Sequence, residues 1–238
     1  VTELAAHDRG TGIQRVTRAI SNEWLRRPPH GYRIQLVRLD RESRRYVCAN
    51  AYAGHLLGQD FGEDAALVCH AGDVFVGLDL VGHAVDLASD WFDYFHVAGV
   101  VINFVVYDIL PVRNPQWWPG PGGQHHERWL RGIVSVSDRL ICISQAVADD
   151  VTGWMLENGI GKQPDVAWFH LGADLEGSAP SRGMPDHADA LLSRLKQVRS
   201  FLMVGTLEPR KGYAGVLAAF EYLWSAGQDI ALVIVGKK

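Results

Sequence analysis

The chain has 238 residues, of which 47% are hydrophobic and 21% are charged, and its formal net charge is −4. This length suits one large α/β domain, or one domain and a fraction of a second. The net charge gives no general attraction to nucleic acid or anionic lipid, so a nucleic-acid-binding function is excluded. We interpret the basic runs Arg38–Arg45 and Arg194–Arg199 as solvated faces that could also support a peripheral contact with the inner membrane.

The cysteine pattern predicts a reducing compartment. Cys48, Cys69 and Cys142 are widely spaced and form no C-x-x-C motif. Their odd number argues against a disulfide framework and against a zinc site. No apolar run approaches the ~20 residues that span a bilayer, and no signal segment is recognisable at the start. We therefore expect a cytoplasmic protein.

The first predicted elements are a strand end, a glycine-rich turn and an amphipathic helix. Val1–Leu4 is interpreted as the tail of a β-strand. The helix that follows the turn has an apolar stripe at three- and four-residue spacing, formed by Ile13, Val16, Ile20 and Trp24. Pro28 and Pro29 should end this helix. Apolar and polar residues alternate along Tyr32–Leu39 as they do in a strand, and Tyr46–Val47 is its predicted hairpin partner.

The middle of the chain predicts a parallel sheet. Continuous apolar runs rich in Val, Ile and Phe are typical of strands buried on both faces, and they occur at Ala65–Cys69, Val74–Val76, Val100–Tyr107 and Arg139–Ile143. Helices are predicted between and after them, at Ala84–Phe95, Gln124–Ser137 and Gln145–Asn158. This alternation predicts β-α-β units and a doubly wound α/β sheet.

A change of composition predicts a domain boundary. Apolar periodicity gives way to Gly, Ser, Pro and Asp at Glu176–Asp189, which is typical of a linker. We therefore predict a first domain at 1–176, a linker at 177–199 and the opening of a second domain at 200–238. The second domain should begin with a strand at Phe201–Val204, a turn at 205–212, a helix at Tyr213–Ala226 and a strand at Ile230–Val235. A lone β-α-β unit cannot cover both faces of its sheet, so this domain is expected to be incomplete.

The turn Gly10-Thr11-Gly12 is a candidate phosphate site. Glycines between a strand and a helix let backbone amides approach a ligand, and the helix N-terminus attracts anions. A plain tight turn explains the residues equally well. The dinucleotide fingerprint G-x-G-x-x-G is incomplete, because Arg15 occupies the third glycine position.

Two candidates follow predicted strands of the sheet. Asp108 comes directly after the most apolar strand, at the edge where ligands of open α/β folds bind. Prolines stiffen the loop after it, so Asp108 and Arg113 should be held either toward a ligand or in a salt bridge that serves the loop alone. Ser144 follows the next strand and is either a helix N-cap or a ligand contact. The adjacent His125 and His126 would point apart on a helix, so we interpret them as surface residues.

The strongest functional segment is the turn at 205–212. Arg210 and Lys211 precede an amphipathic helix, whose N-terminus favours anions, so the turn predicts a diphosphate site. It is not a Walker A loop, because no G-K-[ST] sequence is present.

Together these segments resemble the retaining glycosyltransferases of family 4, and most fully the bacterial O-antigen and exopolysaccharide mannosyltransferases. The resemblance is carried, in the family's order, by GTGIQRV, VVYDILPVRNPQWWP, ICISQAVADDV, HLGAD and VGTLEPRKGY. It implies the GT-B architecture, with two Rossmann-like domains facing each other. It also implies transfer of a hexose, preferably mannose from GDP-mannose, to a lipid-linked glycan or growing surface polysaccharide, with retention of configuration. No metal or other cofactor is expected, because cations and a helix end usually replace the metal in this fold.

The resemblance also implies roles for individual residues. Donor binding is assigned to Gly10, Gly12, Ser144, Gly205, Thr206 and Glu208. Lys211 matches the family's phosphate-binding lysine, and Arg210 is its candidate second cation, since Thr206 replaces an arginine that many members have. We assign both Lys211 and Arg210 to catalysis. Asp108 stands where many members place a histidine beside the reacting sugar, and we assign it to catalysis and, with Arg113, to acceptor binding.

Two alternative interpretations remain open. The first is an epimerase with the GT-B fold, which would use the same nucleotide-sugar donor but would need no acceptor. The second is a truncated, non-catalytic chain that binds acceptor or membrane. The family's pair of glutamates, late in the second domain, is expected beyond Lys238, so turnover by this chain alone is not expected. A nicotinamide dehydrogenase is disfavoured, because the third glycine and the ribose-binding acid are missing.

Overall fold

A computed structural model describes residues 1–118, 120–161, 163–173 and 186–236. The chain forms two compact units, Val1–Gly172 and Ala173–Lys238, which are described separately below. The first part of the predicted linker lies outside the described residues.

The elements are numbered in chain order. The helices of the first unit are α1 (Thr2–Ala6), α2 (Gly12–Arg26), α3 (Asn50–Leu57), α4 (Ala84–Leu87), α5 (Ser89–Ala98), α6 (Leu110–Arg113), α7 (Gly122–Val136) and α8 (Gln145–Glu157). Its strands are β1 (Val37–Asp40), β2 (Arg45–Cys48), β3 (Ala65–Ala66), β4 (Val74–Gly77), β5 (Val101–Val106), β6 (Arg139–Cys142) and β7 (Asp165–Trp168). The second unit contains α9 (Ala188–Leu195), β8 (Arg199–Val204), α10 (Tyr213–Ser225) and β9 (Ile230–Val235).

A four-stranded sheet forms the centre of the first unit. Its order is β4-β5-β6-β7, and every neighbouring pair is parallel. One face is covered by α2, whose apolar stripe packs against Leu78, Val105 and Tyr107. The other face is covered by a larger cluster that includes Phe92 of α5 and Leu130 of α7. Helices on both faces confirm the predicted α/β unit with a parallel sheet, an arrangement consistent with a Rossmann-like domain.

The helix predicted after the glycine turn is present as α2. It ends at Arg26, just before Pro28 and Pro29, as expected. The helix predicted as continuous at Ala84–Phe95 is instead two helices, α4 and α5, which meet at Ala88.

The prediction of a strand at Val1–Leu4 is wrong, because this segment begins α1. Its sequence TELAA consists mostly of good helix formers. The helix is also fixed by its neighbours. The Thr2 hydroxyl accepts a hydrogen bond from the Leu39 amide at 2.9 Å, and the Leu4 amide donates to Asp79 at 2.9 Å. These bonds hold α1 between β1 and the end of β4.

The prediction of a buried strand at Ala65–Cys69 is also wrong. Only Ala65–Ala66 is a strand, and it pairs antiparallel with β2 in a separate three-stranded sheet of order β1-β2-β3. The predicted hairpin between β1 and β2 is confirmed in this sheet. Polar contacts fix the segment there, because Asp64 accepts from Arg38 at 2.6 Å and the Glu63 carbonyl accepts from Asn50 at 2.9 Å.

The second unit contains the predicted β-α-β arrangement. β8 and β9 are parallel, and Phe220 of α10 contacts Phe201 of β8 edge to face at 5.4 Å. Leu202 and Val204 of β8 are 65% and 70% exposed, so α10 covers only part of this small sheet. Helix α9 lies within the range predicted as linker.

The cysteines are free, and burial raises the pKa of the Cys142 thiol to about 12. Among the residues that the structure describes, every helix is too short or too polar to cross a bilayer.

Candidate functional site

The residues predicted to bind the donor diphosphate in the second unit share one turn at the carboxyl end of β8. Gly205 ends the strand with a φ of 150°, a backbone conformation that favours glycine. A 3₁₀ turn at Pro209–Lys211 and a left-handed Gly212, with a φ of 72°, then lead into α10. The turn therefore places Lys211 directly before the start of a helix.

Gly236 is a residue of this site that sequence reasoning missed. It follows β9, and a Cβ atom on it would lie 1.7 Å from the carbonyl oxygen of Gly205. The two strand ends therefore touch through backbone atoms alone, and only glycine fits. The signal available in the sequence was the glycine that ends the apolar run LVIVG.

The Lys211 side chain lies over the end of β8. A Cβ atom on Gly205 would be 3.7 Å from Cε of Lys211. Helix α10 begins without a side-chain cap, so the amides of its first turn have no intrahelical partner. In the part of the chain that the structure describes, the Lys211 ammonium forms no ion pair. A cation beside uncapped amides is an arrangement that attracts a phosphate, although the charge of Lys211 also acts on the nearby Glu208 carboxylate.

Arg210 has a different environment from Lys211. Its Nε donates to Glu208, whose other oxygen accepts from the Thr206 hydroxyl at 2.6 Å. The hydrogen bond from Thr206 lowers the pKa of Glu208 below its usual value, and the hydrogen bond from Arg210 lowers it further by a smaller amount. The three side chains therefore brace the turn, and the Arg210 charge is offset by a carboxylate.

In the first unit, the glycine turn is held by its own side chains. Thr11 and Gln14 form a capping box at the start of α2, and the Gln14 side chain also donates to the carbonyl of His7 at 2.6 Å. Gly10 has a φ of 67°, and its amide donates to Asp8 at 3.0 Å. The Gly10 amide is therefore used within the turn, while Gly12 is the first helical residue.

Helix α2 brings this turn toward the carboxyl edge of the parallel sheet. The Thr17 hydroxyl donates to the carbonyl of Leu78, just past β4, at 3.2 Å. Tyr107, just past β5, donates to the same carbonyl at 2.8 Å. Asp108 and Ser144 are each the second residue after β5 and β6, so they lie at this edge too. The Ser144 hydroxyl accepts from the Val147 amide at 3.3 Å, which makes it the N-cap of α8.

Asp108 is connected to a histidine that was interpreted as a surface residue. The carbonyl oxygen of Asp108 lies 3.1 Å from Nε2 of His126, and its carboxylate accepts from the Leu110 amide at 3.0 Å. His126 is half-buried and lies 4.9 Å from the Trp129 ring, ring centre to ring centre. The surface interpretation is therefore wrong for His126 and confirmed for the exposed His125. The signal was the three-residue spacing, which puts His126 and Trp129 on one helix face.

Arg113 does not pair with Asp108. It forms an ion pair with Glu157 and donates to the carbonyl of Asp150 at 3.1 Å, both on α8. Its guanidinium passes over Gly153 of the same helix, where a Cβ atom would be 3.2 Å from Nη2. Arg113 therefore ties the loop after β5 to α8.

A cavity of about 930 Å³ lies beside the glycine turn. Residues of α1, α2 and α3 line it, together with the end of β1 and the residues that follow it. Its arginines are paired, since Arg18 contacts Asp8 and Arg38 contacts Asp40 and Asp64. Arg41, the third arginine of the lining, is paired with Glu3. A cavity whose arginines are already paired with carboxylates suits a neutral hydroxylated ligand better than a phosphate.

The chain is similar over its whole length to a known enzyme. Three sequences of the serotype-specific mannosyltransferase WbdA of Escherichia coli are 43%, 42% and 43% identical to it over 242 residues. The predicted resemblance to bacterial mannosyltransferases is confirmed. The alignments cover 100% of this chain but only 29%, 30% and 30% of the WbdA sequences, so the chain spans less than a third of these relatives. No protein-family model matches the chain.

The similarity to WbdA extends over both units. The glycine turn of the first unit and the Lys211 turn of the second therefore both lie in the segment that this chain shares with WbdA.

Proposed function

We propose that this chain is part of a retaining glycosyltransferase of the GT-B type. It would transfer mannose from GDP-mannose to a growing surface polysaccharide or lipid-linked glycan, in peripheral contact with the inner membrane. The observation that carries the proposal is the 43% identity to the mannosyltransferase WbdA along the entire chain. The Lys211 turn supports it, because an ammonium beside uncapped helix amides suits a diphosphate.

The proposed reaction exchanges one bond at C1 of the sugar. The bond between C1 and the β-phosphate oxygen breaks, and its electron pair stays on the departing GDP. The oxygen of an acceptor hydroxyl bonds to C1, and its proton passes to the departing phosphate. Because negative charge grows on the diphosphate in the transition state, Lys211 and the start of α10 would lower the barrier by stabilising it.

The acceptor is assigned to the first unit. One carboxylate oxygen of Asp108 accepts a hydrogen bond from the Leu110 amide. The carboxylate has further acceptor positions for the hydroxyl groups of a sugar. The cavity beside the glycine turn also suits a neutral sugar, because its arginines are paired with carboxylates. We assign Arg113 to positioning of the Asp108 loop, because its charge is paired with Glu157.

A chimera tests the proposal. In WbdA, the segment aligned with this chain is replaced by the chain itself, and incorporation of mannose from labelled GDP-mannose into a lipid-linked acceptor is measured. The chimera is expected to transfer mannose. Lys211→Ala is expected to lower kcat/KM by about 10²–10³-fold, the usual effect of removing one charge-stabilising donor.

Lys196→Ala is the matched control, because Lys196 is an exposed lysine of the same unit outside the turn. It should retain the rate of the unsubstituted chimera. The proposal fails if the chimera transfers no mannose, or if Lys211→Ala and Lys196→Ala transfer it equally well. Release of a free epimerised nucleotide sugar without acceptor would favour the epimerase alternative.

A further inference from the structure

A second cleft, of about 510 Å³, lies in the first unit, and its lining includes none of the residues of that unit assigned to donor or acceptor binding. The turn of the β1–β2 hairpin contributes Arg44 and Arg45 to its lining. The opposing segment, at the junction of α4 and α5, contributes Asp86, Asp90 and a pair of aromatic rings. The cleft therefore combines cations, carboxylates and aromatic surface in one place.

The arginines of this cleft are available for a ligand. Among the residues that the structure describes, the side chains of Arg44 and Arg45 form no hydrogen bond or ion pair. By contrast, Arg38 and Arg41 of the same hairpin are both paired with carboxylates. Arg44 also has a φ of 55°, a conformation that costs energy for a residue with a side chain and that tends to occur at functional sites.

The aromatic pair consists of Trp91 and Tyr94. Their rings meet edge to face at 5.1 Å, and Trp91 also contacts the buried Phe95 at 5.6 Å. Tyr94 is 41% exposed. Core contacts therefore hold two rings at the surface in a fixed arrangement, which lowers the entropy lost when a ligand binds.

We propose that this cleft binds a neutral oligosaccharide, namely a segment of the growing polysaccharide. The proposal rests on the proposed glycosyl transfer for the identity of the sugar. A sugar ring has an apolar C–H face, which the rings of Trp91 and Tyr94 would shield from water. Its hydroxyl groups both donate and accept, so they match a lining that offers Asp86 and Asp90 as acceptors and arginines as donors.

The carboxylates of the cleft favour a glycan over an anionic lipid surface. Lipid phosphates would be attracted by Arg44 and Arg45 but repelled by Asp86 and Asp90. Neutral hydroxyl groups are compatible with both signs of charge. A cleft that holds a segment of the product would keep the polymer attached between successive additions.

Binding of linear mannotetraose to this chain, measured by calorimetry, tests the proposal. Tyr94→Ala and Arg45→Ala are each expected to weaken binding about tenfold, through loss of ring contact or of guanidinium hydrogen bonds. Tyr94→Phe keeps the ring and should retain binding. Tyr32→Ala and Arg33→Ala are the matched controls for the tyrosine and arginine variants, because Tyr32 and Arg33 are exposed and lie outside the cleft.

Thermal unfolding of each variant is recorded so that loss of binding is compared only among folded proteins, with Arg45→Gln as the substitute if Arg45→Ala unfolds. The proposal is overturned if the unsubstituted chain does not bind mannotetraose, or if Tyr94→Ala and Arg45→Ala bind as it does. Arginine-dependent binding to phosphatidylglycerol vesicles without mannotetraose binding would instead assign the cleft to a lipid surface. If the WbdA chimera transfers no mannose while mannotetraose binding follows the expected pattern, the proposed function fails and the cleft assignment stands.

Discussion

His126 connects helix α7 to the residue proposed to face the reacting sugar. Its Nε2 lies 3.1 Å from the Asp108 carbonyl oxygen, and its ring is half-buried against Trp129. Burial lowers the pKa of His126 below its usual value, although the carbonyl and the charge of Asp108 oppose this change. The imidazole is therefore held neutral, where it can position the loop without adding a charge beside Asp108.

This environment predicts a pH dependence of stability. Because the pKa of His126 is lower in the folded chain than in the unfolded chain, the unfolded chain takes up the proton first as the pH falls through about 6.5. The contribution of His126 to stability should be complete above that pH and decline below it. His126→Gln should therefore reduce the fall in Tm between pH 7.5 and pH 5.5.

His125→Gln is the control for this measurement, because it changes the exposed neighbouring histidine. It should keep the pH dependence of the unsubstituted chain. An unchanged pH dependence in His126→Gln would show that His126 does not resist protonation in the folded state.

At the scale of elements, the start of α2 determines how the glycine turn is presented. The Thr11 hydroxyl accepts a hydrogen bond from the backbone amide of Gln14 at 3.3 Å. In return, the side-chain oxygen of Gln14 accepts one from the backbone amide of Thr11 at 3.3 Å. The same Gln14 oxygen accepts from the Arg9 amide at 2.8 Å. One capping box therefore fixes both the helix end and the turn before it.

Thr11→Ala should destabilise the first unit by about 1 kcal/mol, the usual effect of losing a helix N-cap. Thr11→Ser keeps the hydroxyl and should be close to the unsubstituted chain. Urea unfolding followed by circular dichroism measures the difference, and hydrogen exchange should increase first at the N-terminus of α2. Equal stability of the Ala and Ser variants would show that the cap does not contribute.

Elements with a strong internal signal could be predicted from the sequence. Helix α2 and strand β5 were predicted because their apolar periodicity is long and matches one structure. The short segments at Val1–Leu4 and Ala65–Cys69 were predicted wrongly, because distant partners decide their structure. Asp79 and Leu39 hold the first as a helix, and the β2 strand holds the second in another sheet.

The same distinction applies to the candidate site. Lys211 could be recognised because its strand, turn and helix are contiguous in the sequence. The contact of Gly236 with Gly205 and the ion pair of Arg113 with Glu157 could not be predicted, because each joins residues that are far apart in the chain. The donor-binding and catalytic assignments of these residues remain predictions until the variants are measured.

At the scale of the molecule, the stability of the first unit depends on one large aromatic core. Phe92 is fully buried and its ring lies 5.8–6.0 Å from those of Tyr46, Phe75 and Phe104. These residues come from α5, the hairpin and two strands of the parallel sheet. The core therefore joins the antiparallel sheet to the parallel one.

Phe92→Ala should destabilise the first unit by about 3–5 kcal/mol, the usual effect of truncating a buried aromatic ring. Hydrogen exchange measured by mass spectrometry should show faster exchange in both sheets of Val1–Gly172. Tyr222→Ala, which removes a ring that is 75% exposed, is the control and should have little effect. Faster exchange confined to α5 in Phe92→Ala would contradict a shared core.

The ion pair of Arg113 with Glu157 has a consequence for the affinity with which a sugar binds. A loop that is bonded to a helix through Arg113 has already lost part of its conformational freedom during folding. An arriving ligand then meets a pre-organised surface and is spared the entropy of ordering it. Glu157, which is not assigned to contact substrate, would in this way contribute to the affinity of a site on another element.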